Sequence, residues 1–212
     1  MMKFFMIVIA ILGNIDNQIP RIKSNIYSEF KKPSLDNYKE EEDEWQILAG
    51  ELGEVIDTDS LSVNYGPSKL FDYNLNTTWA INKHLSPKIN FKIIFPENTA
   101  YEDHSPWIFS GKIILFNGYC KSPMLWSENS RIKELNVYHN NRLLCHVILQ
   151  DTWHLQYFLL NDFFYDKINN DNRKINLKSG DIISFQITDI YKGSKFEDIC
   201  LSELYGEMNN GN

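Results

Sequence analysis

From Trp45 onward, apolar and polar positions alternate with period two, the spacing that sends successive side chains to opposite faces of a β-strand. Residues 88–95 (KINFKIIF) place Ile89, Phe91, Ile93 and Phe95 on one face. Residues 132–138 set Leu135 and Val137 against Asn136 and Tyr138. After a polar turn at His139–Arg142, residues 143–149 set Leu143, Cys145, Val147 and Leu149 against Leu144, His146 and Ile148. Residues 153–160 are apolar at every second place. Residues 182–189 set Ile183, Phe185 and Ile187 against Ser184, Gln186 and Thr188, entered through the turn signal Lys178-Ser179-Gly180-Asp181. A run from Lys112 to Phe116 is apolar throughout, and Ile199–Tyr205 forms the last strand. Several short strands, polar turns and no long amphipathic helix predict an all-β sandwich.

The first residues break this pattern. Met1-Met2-Lys3 and the apolar run Phe4–Leu12 read as a signal peptide over 1–13, with a buried amino-terminal strand as the alternative. The apolar run is too short to span a membrane, and no transmembrane segment is expected. Residues 14–44, with Pro20, Pro33 and the acidic run Glu40–Glu44, read as a disordered acidic linker. The acidic run is a solvated spacer or a docking or cation-binding segment. The domain then covers 45–206, and 207–212 form a tail. These features predict a secreted or periplasmic monomer.

A composition of 43% hydrophobic and 14% aromatic residues suffices for a two-layer core. The formal net charge of −7 argues against nucleic acid and against an anionic membrane surface as partners. Cys120, Cys145 and Cys200 make no disulfide framework and no metal-binding C-x-x-C. The five histidines show no catalytic or metal spacing, and the adjacency of Asp103, His104 and Ser105 is weak support for a small hydrolase, since triads assemble in space.

Three loops carry candidate chemistry. Asn117, Tyr119, Lys121, Trp126, Asn129 and Arg131 supply amides, rings and cations that suit sugar hydroxyls or a partner's carboxylates. Their structural alternative is a closed turn at Asn117-Gly118, with Arg131 paired to Glu128 or Glu134. Lys192 and Lys195, around the bend at Gly193, either join Lys121 in a cationic rim or serve solubility. Oxygen-bearing side chains at Asp72, Asn74, Asn76, Thr77 and Thr78 crowd one loop, as calcium requires or as an Asx-stabilised turn without metal also would.

Three blocks of sequence resemble a known family: Leu70-Phe71-Asp72 to Thr77-Thr78-Trp79; Asn117-Gly118-Tyr119 with Lys121-Ser122 and Asn129–Lys133; and Asp189–Lys195 running into Cys200–Leu204. Together they cover roughly residues 55–206 and are similar to the discoidin-like, galactose-binding-like (factor 5/8 type C) translocation domain of bacterial NAD glycohydrolase toxins. The resemblance implies a jelly-roll β-sandwich, with NAD hydrolysis residing in a separate region. It also implies a structural calcium held by Asp72, Asn74 and Thr77 and completed by Glu203. The usual Asp-Gly-Asp-Pro loop is altered here, with Tyr73, Asn74 and Leu75 in the last three places. No cofactor is otherwise required. The expectation is an exported, non-catalytic module that recognises a glycan or a secreted or cell-surface protein through loops at one end. The alternative is a docking or translocation module for a secreted toxin or partner.

Overall fold

A computed structural model describes residues 19–26, 53–84, 87–93, 108–164, 175 and 177–209. The expected signal peptide, most of the linker, Phe95, the Asp103–Ser105 cluster and residues 210–212 lie outside the described residues. Eleven strands run in chain order: β1 (Arg21–Lys23), β2 (Asn25–Ile26), β3 (Gly53–Ile56), β4 (Trp79–Ile81), β5 (Lys88–Ile93), β6 (Ile108–Asn117), β7 (Ser130–His139), β8 (Arg142–Ile148), β9 (Gln156–Leu159), β10 (Ile182–Tyr191) and β11 (Ile199–Asn209). One short helix, α1 (Pro123–Glu128), stands between β6 and β7. No helix among the described residues is long and apolar enough to cross a membrane.

The chain folds as a jelly-roll β-sandwich. Hydrogen bonds link the strands in the order β2-β9-β6-β11-β7-β10-β5-β3, with β4 added on β11, β8 on β7 and β1 on β8. The alternation in β5 works as expected, burying Ile89, Phe91 and Ile93 while Lys88, Asn90 and Lys92 stay half-exposed. Phe158 of β9 meets Phe185 of β10 edge-on at 6.4 Å, and Phe91 meets Phe185 at 5.8 Å, so three rings knit the core. Burying each ring contributes about 1.5–3 kcal/mol. Strand β6 is apolar at consecutive places because both its faces are covered. Ile113 and Leu115 enter the main core, while Ile114 and Phe116 pack with Leu75, Cys120, Leu155 and Tyr205 on the other side.

Two local details differ from the sequence pattern. Residues 21–26 are not linker: β1 pairs in parallel with β8 (Ile22↔Val147), and β2 pairs antiparallel with β9. Ser24 between them is buried, donating to Gln156 Oε1 at 2.8 Å and accepting the Gln150 amide at 3.1 Å. Edge hydrogen bonds and the packing of Ile22 against the core hold this segment, which composition does not register. In β8, a register shift opposite Val137 and Tyr138 buries Leu144 beside Cys145, interrupting the simple alternation.

Candidate functional site

Strand β11 fixes which loops share an end of the sandwich. It pairs Glu203 with Phe116, Leu201 with Trp79 and Ile199 with Ser130, and Leu201 also bridges Gly118. Tyr191 lies opposite Arg131 on the neighbouring pair. The segments around 59–78, 117–130 and 191–198 therefore meet at one end, as the sequence suggested for the last two.

The 191–198 loop is bound to α1 through its backbone. Ser194 N donates to Ser127 O (3.0 Å), and Lys195 N and Phe196 N donate to Glu128 O (3.1 and 2.8 Å). Gly193 N donates to Ser130 Oγ at 3.1 Å. A Cβ on Gly193 would lie 2.3 Å from Glu128 O, so close approach requires glycine here. Helix α1 begins at a capped Ser-Pro step: Ser122 Oγ accepts the Leu125 amide at 3.2 Å and Pro123 takes the first helical position.

Three of the expected contact residues belong to the scaffold instead. Asn117 is buried and exchanges both amide bonds with Ile132, donating to its carbonyl (2.7 Å) and accepting its N–H (3.0 Å). Asn129 is buried and donates to Leu125 O at the end of α1. Arg131 is 6% exposed. Its guanidinium lies 4.2 Å from the Trp126 ring centroid, grips Asp151 through Nε (2.9 Å) and Nη2 (3.2 Å), and donates to the carbonyls of Trp126 and Asn129. The partner is Asp151, not Glu128 or Glu134, because the stack on Trp126 aims the fork across the turn after β8. Trp126 is half-buried and donates to Asn117 O at 2.8 Å. Gly118, at φ +96, keeps the space that Trp126 and Arg131 need; a Cβ there would lie 2.7 Å from both.

What remains at the surface is different chemistry. Lys121, Lys192 and Lys195 are exposed, and Lys195 sits 3.5 Å from Glu128 and over the Phe196 ring. Tyr119 is half-buried, its hydroxyl donating to Asn76 O at 3.2 Å. Burial and then the neighbouring Tyr65 hold its phenol above the ordinary range. Four apolar side chains that strand periodicity gave no reason to notice stand out: Val63 (89% exposed), Met124 (64%), Phe196 (40%) and Tyr65 (37%). Asp151, half-exposed and held by Arg131, likewise carries no signal in the strand pattern. The three thiols are buried and burial pushes each up to about 12, so they are poor nucleophiles at neutral pH.

The Asp72 loop closes over Glu203. Asn74 N donates to Glu203 Oε1 at 2.7 Å, and the fully buried carboxyl has the Tyr205 hydroxyl and Asp72 as its other polar neighbours. Burial, reinforced by the Asp72 carboxylate, pushes Glu203 up to about 8. Tyr73, at φ +54, takes the left-handed turn usually given to glycine, and its ring stacks 5.2 Å from Tyr205. Asn74 Oδ1 accepts the Asn76 amide at 3.0 Å, an Asx turn. Thr77 Oγ lies 2.8 and 2.9 Å from the two Asp72 oxygens, and Lys69 Nζ lies 3.3 Å from Asp72 Oδ2. The donors are oxygens of the kind calcium takes, but as arranged they do not fit the ion. Asn74 Oδ1 faces its own loop, and an ammonium already attends Asp72. No group of three His, Cys, Asp or Glu side chains able to hold a metal occurs among the described residues.

Residues 97–207, more than half of the chain, match the family model described as the NAD glycohydrolase translocation F5/8 type C domain. The solved structure of the CBM32-1, CBM32-2 and M60 catalytic domains of Clostridium perfringens ZmpB is similar over 95% of this chain and 18% of that one, with a TM-score of 0.51 and 13% identity. The CBM32-1 and CBM32-2 domains of the same protein in complex with GalNAc give a TM-score of 0.48 at 10% identity, over 89% of this chain and 40% of that one. Likeness at this identity is one of fold, and the chain spans less than half the length of either structure. No curated protein matches the chain.

Proposed function

Because this chain belongs to the NAD glycohydrolase translocation F5/8 type C domain family, we propose that it is an exported, non-catalytic recognition module whose loop end docks a protein partner. One observation carries the reading. The amides and guanidinium suited to sugar hydroxyls are consumed inside the fold, while Val63, Tyr65, Met124 and Phe196 are exposed on loops of the same end that carry the exposed Lys121, Lys192 and Lys195. Exposed apolar anchors with cations on the same loops suit a partner surface with apolar and acidic groups. The backbone bonds between α1 and the 191–198 loop keep the anchors pre-positioned, which lowers the ordering cost of binding. On an acidic chain these lysines give local attraction without making the whole molecule basic.

A carbohydrate ligand is the second reading. Asp151, half-exposed and oriented by the Arg131 that stacks on Trp126, offers a fixed acceptor. A photo-crosslinking residue at Met124, with one at Arg142 on the far turn as control, tests both readings alongside a glycan array. A secreted protein captured only from position 124, and lost with Phe196→Asp, supports docking. An array signal abolished by Asp151→Ala supports the sugar. Blank results in both would overturn the recognition reading.

A further inference from the structure

Asp72 and Glu203 bring two carboxylates together, one at the mouth of the loop and one beneath it. Glu203 is fully buried and, pushed up to about 8, is held as the neutral acid at pH 7, so Asp72, only 24% exposed, carries the charge. That half-buried charge needs a positive partner, and the preceding turn supplies one. Lys69 lies in the 3-10 turn Pro67–Leu70, whose last residue, Leu70, is anchored in the core. That anchor directs a side chain only 29% exposed back to Asp72 Oδ2, at 3.3 Å.

We propose that Lys69 is the built-in counter-cation of Asp72, standing where a calcium ion is expected, so that the recognition end holds its shape without metal. The connection to that end is direct. Asp72 meets the Thr77 hydroxyl, Thr77 N donates to Asn74 O (2.9 Å), and Asn76 O receives the Tyr119 hydroxyl. The ammonium thus positions the loop on which Tyr119 rests. Whether the partner is a protein or a glycan, Lys69 acts only on what holds the loop.

Thermal melts of the full chain test it in two buffers, one with excess EDTA and one with about 5 mM calcium chloride. Wild type and Lys69→Arg, which keeps the charge, should melt at the same temperature in both. Lys69→Gln should melt about 3 °C lower in EDTA and recover in calcium, as the ion neutralises the freed Asp72 carboxylate. Three results would overturn the proposal: a wild type that gains as much from calcium as the variant does, a Lys69→Gln protein as stable as wild type in EDTA, or one equally destabilised in both buffers. The last result would make Lys69 a packing residue only.

Discussion

Glu203 Oε1 accepts the Asn74 amide at 2.7 Å, tying the penultimate turn of the site loop to the middle of β11 across 129 residues of sequence. The carboxyl group is fully buried, with the Asp72 carboxylate as a close neighbour. A neutral acid can meet that condition at less cost than an anion, since desolvation penalises only the charged form.

This gives Glu203 a defined pH signature. Its folded value, about 8, stands above its ordinary 4.5, so the folded state binds the proton more tightly than the unfolded chain. Stability from this group is intact below 4.5, falls as pH rises towards 8 and levels off beyond. The gap corresponds to something on the order of 3–5 kcal/mol. Glu203→Gln should remove that slope, being more stable than wild type at pH 8.5 and close to it at pH 5. Urea titrations at the two pH values measure the effect, and an unchanged slope in the variant would rule Glu203 out as its source.

Arg131 should report on the scaffold and not on ligand contact. Replacing it with Met removes the stack on Trp126 and leaves the carbonyls of Trp126 and Asn129 without their donor. With Asp151 half-exposed, the ion pair itself is partly screened, and the total loss should be about 2 kcal/mol. Asp151→Asn should cost about 1 kcal/mol or less, because the solvent side of that pair is already wet. Equal losses for the two would mean that the ion pair, not the stack and carbonyl bonds, dominates.

The strands were legible because burial on one face leaves period-two alternation, as Ile89, Phe91 and Ile93 show. Shared ends of loops were legible through the family's motif order, which correctly placed 117–131 next to 191–198. Direction was not: Asn117, Asn129 and Arg131 look alike in sequence whether they face water or brace a turn, and only the positions of Ile132, Leu125 and Asp151 decide. Exposed anchors such as Val63 and Met124 were invisible for the converse reason, since loops carry no periodicity against which an outward apolar residue stands out. Glu203 was legible from its strand face, where it shares an apolar stripe with Ile199 and Leu201.

The amino-terminal edge gives a sharper check. Ser24 serves Gln156 and Gln150 together, and its carbonyl receives the Gln150 side chain at 2.8 Å. Ser24→Ala leaves a buried Gln156 oxygen with only the Gln150 amide and should cost about 1 kcal/mol. Deleting residues 1–26 should cost more than deleting 1–18, because only the former strips β1 and β2 from β8 and β9. Equal melting temperatures for the two truncations would show that the edge pairing adds nothing.

Gly193 tests whether rigidity at the loop end matters separately from its chemistry. Its Cβ position is 2.3 Å from Glu128 O and 2.5 Å from Asn129 C, both backbone atoms that cannot swing aside. Gly193→Ala must therefore push the 191–198 loop off α1, lengthening the bonds that Ser194, Lys195 and Phe196 make to Ser127 and Glu128. The expected cost is about 1–3 kcal/mol, with no charge or contact group altered. Hydrogen exchange at the amides of 194–196 should accelerate selectively while the core strands stay protected. Partner capture at Met124 should weaken in parallel, because Phe196 and Lys195 would no longer be held in place before binding. Accelerated exchange with undiminished capture would show that the anchors work without the scaffold beneath them.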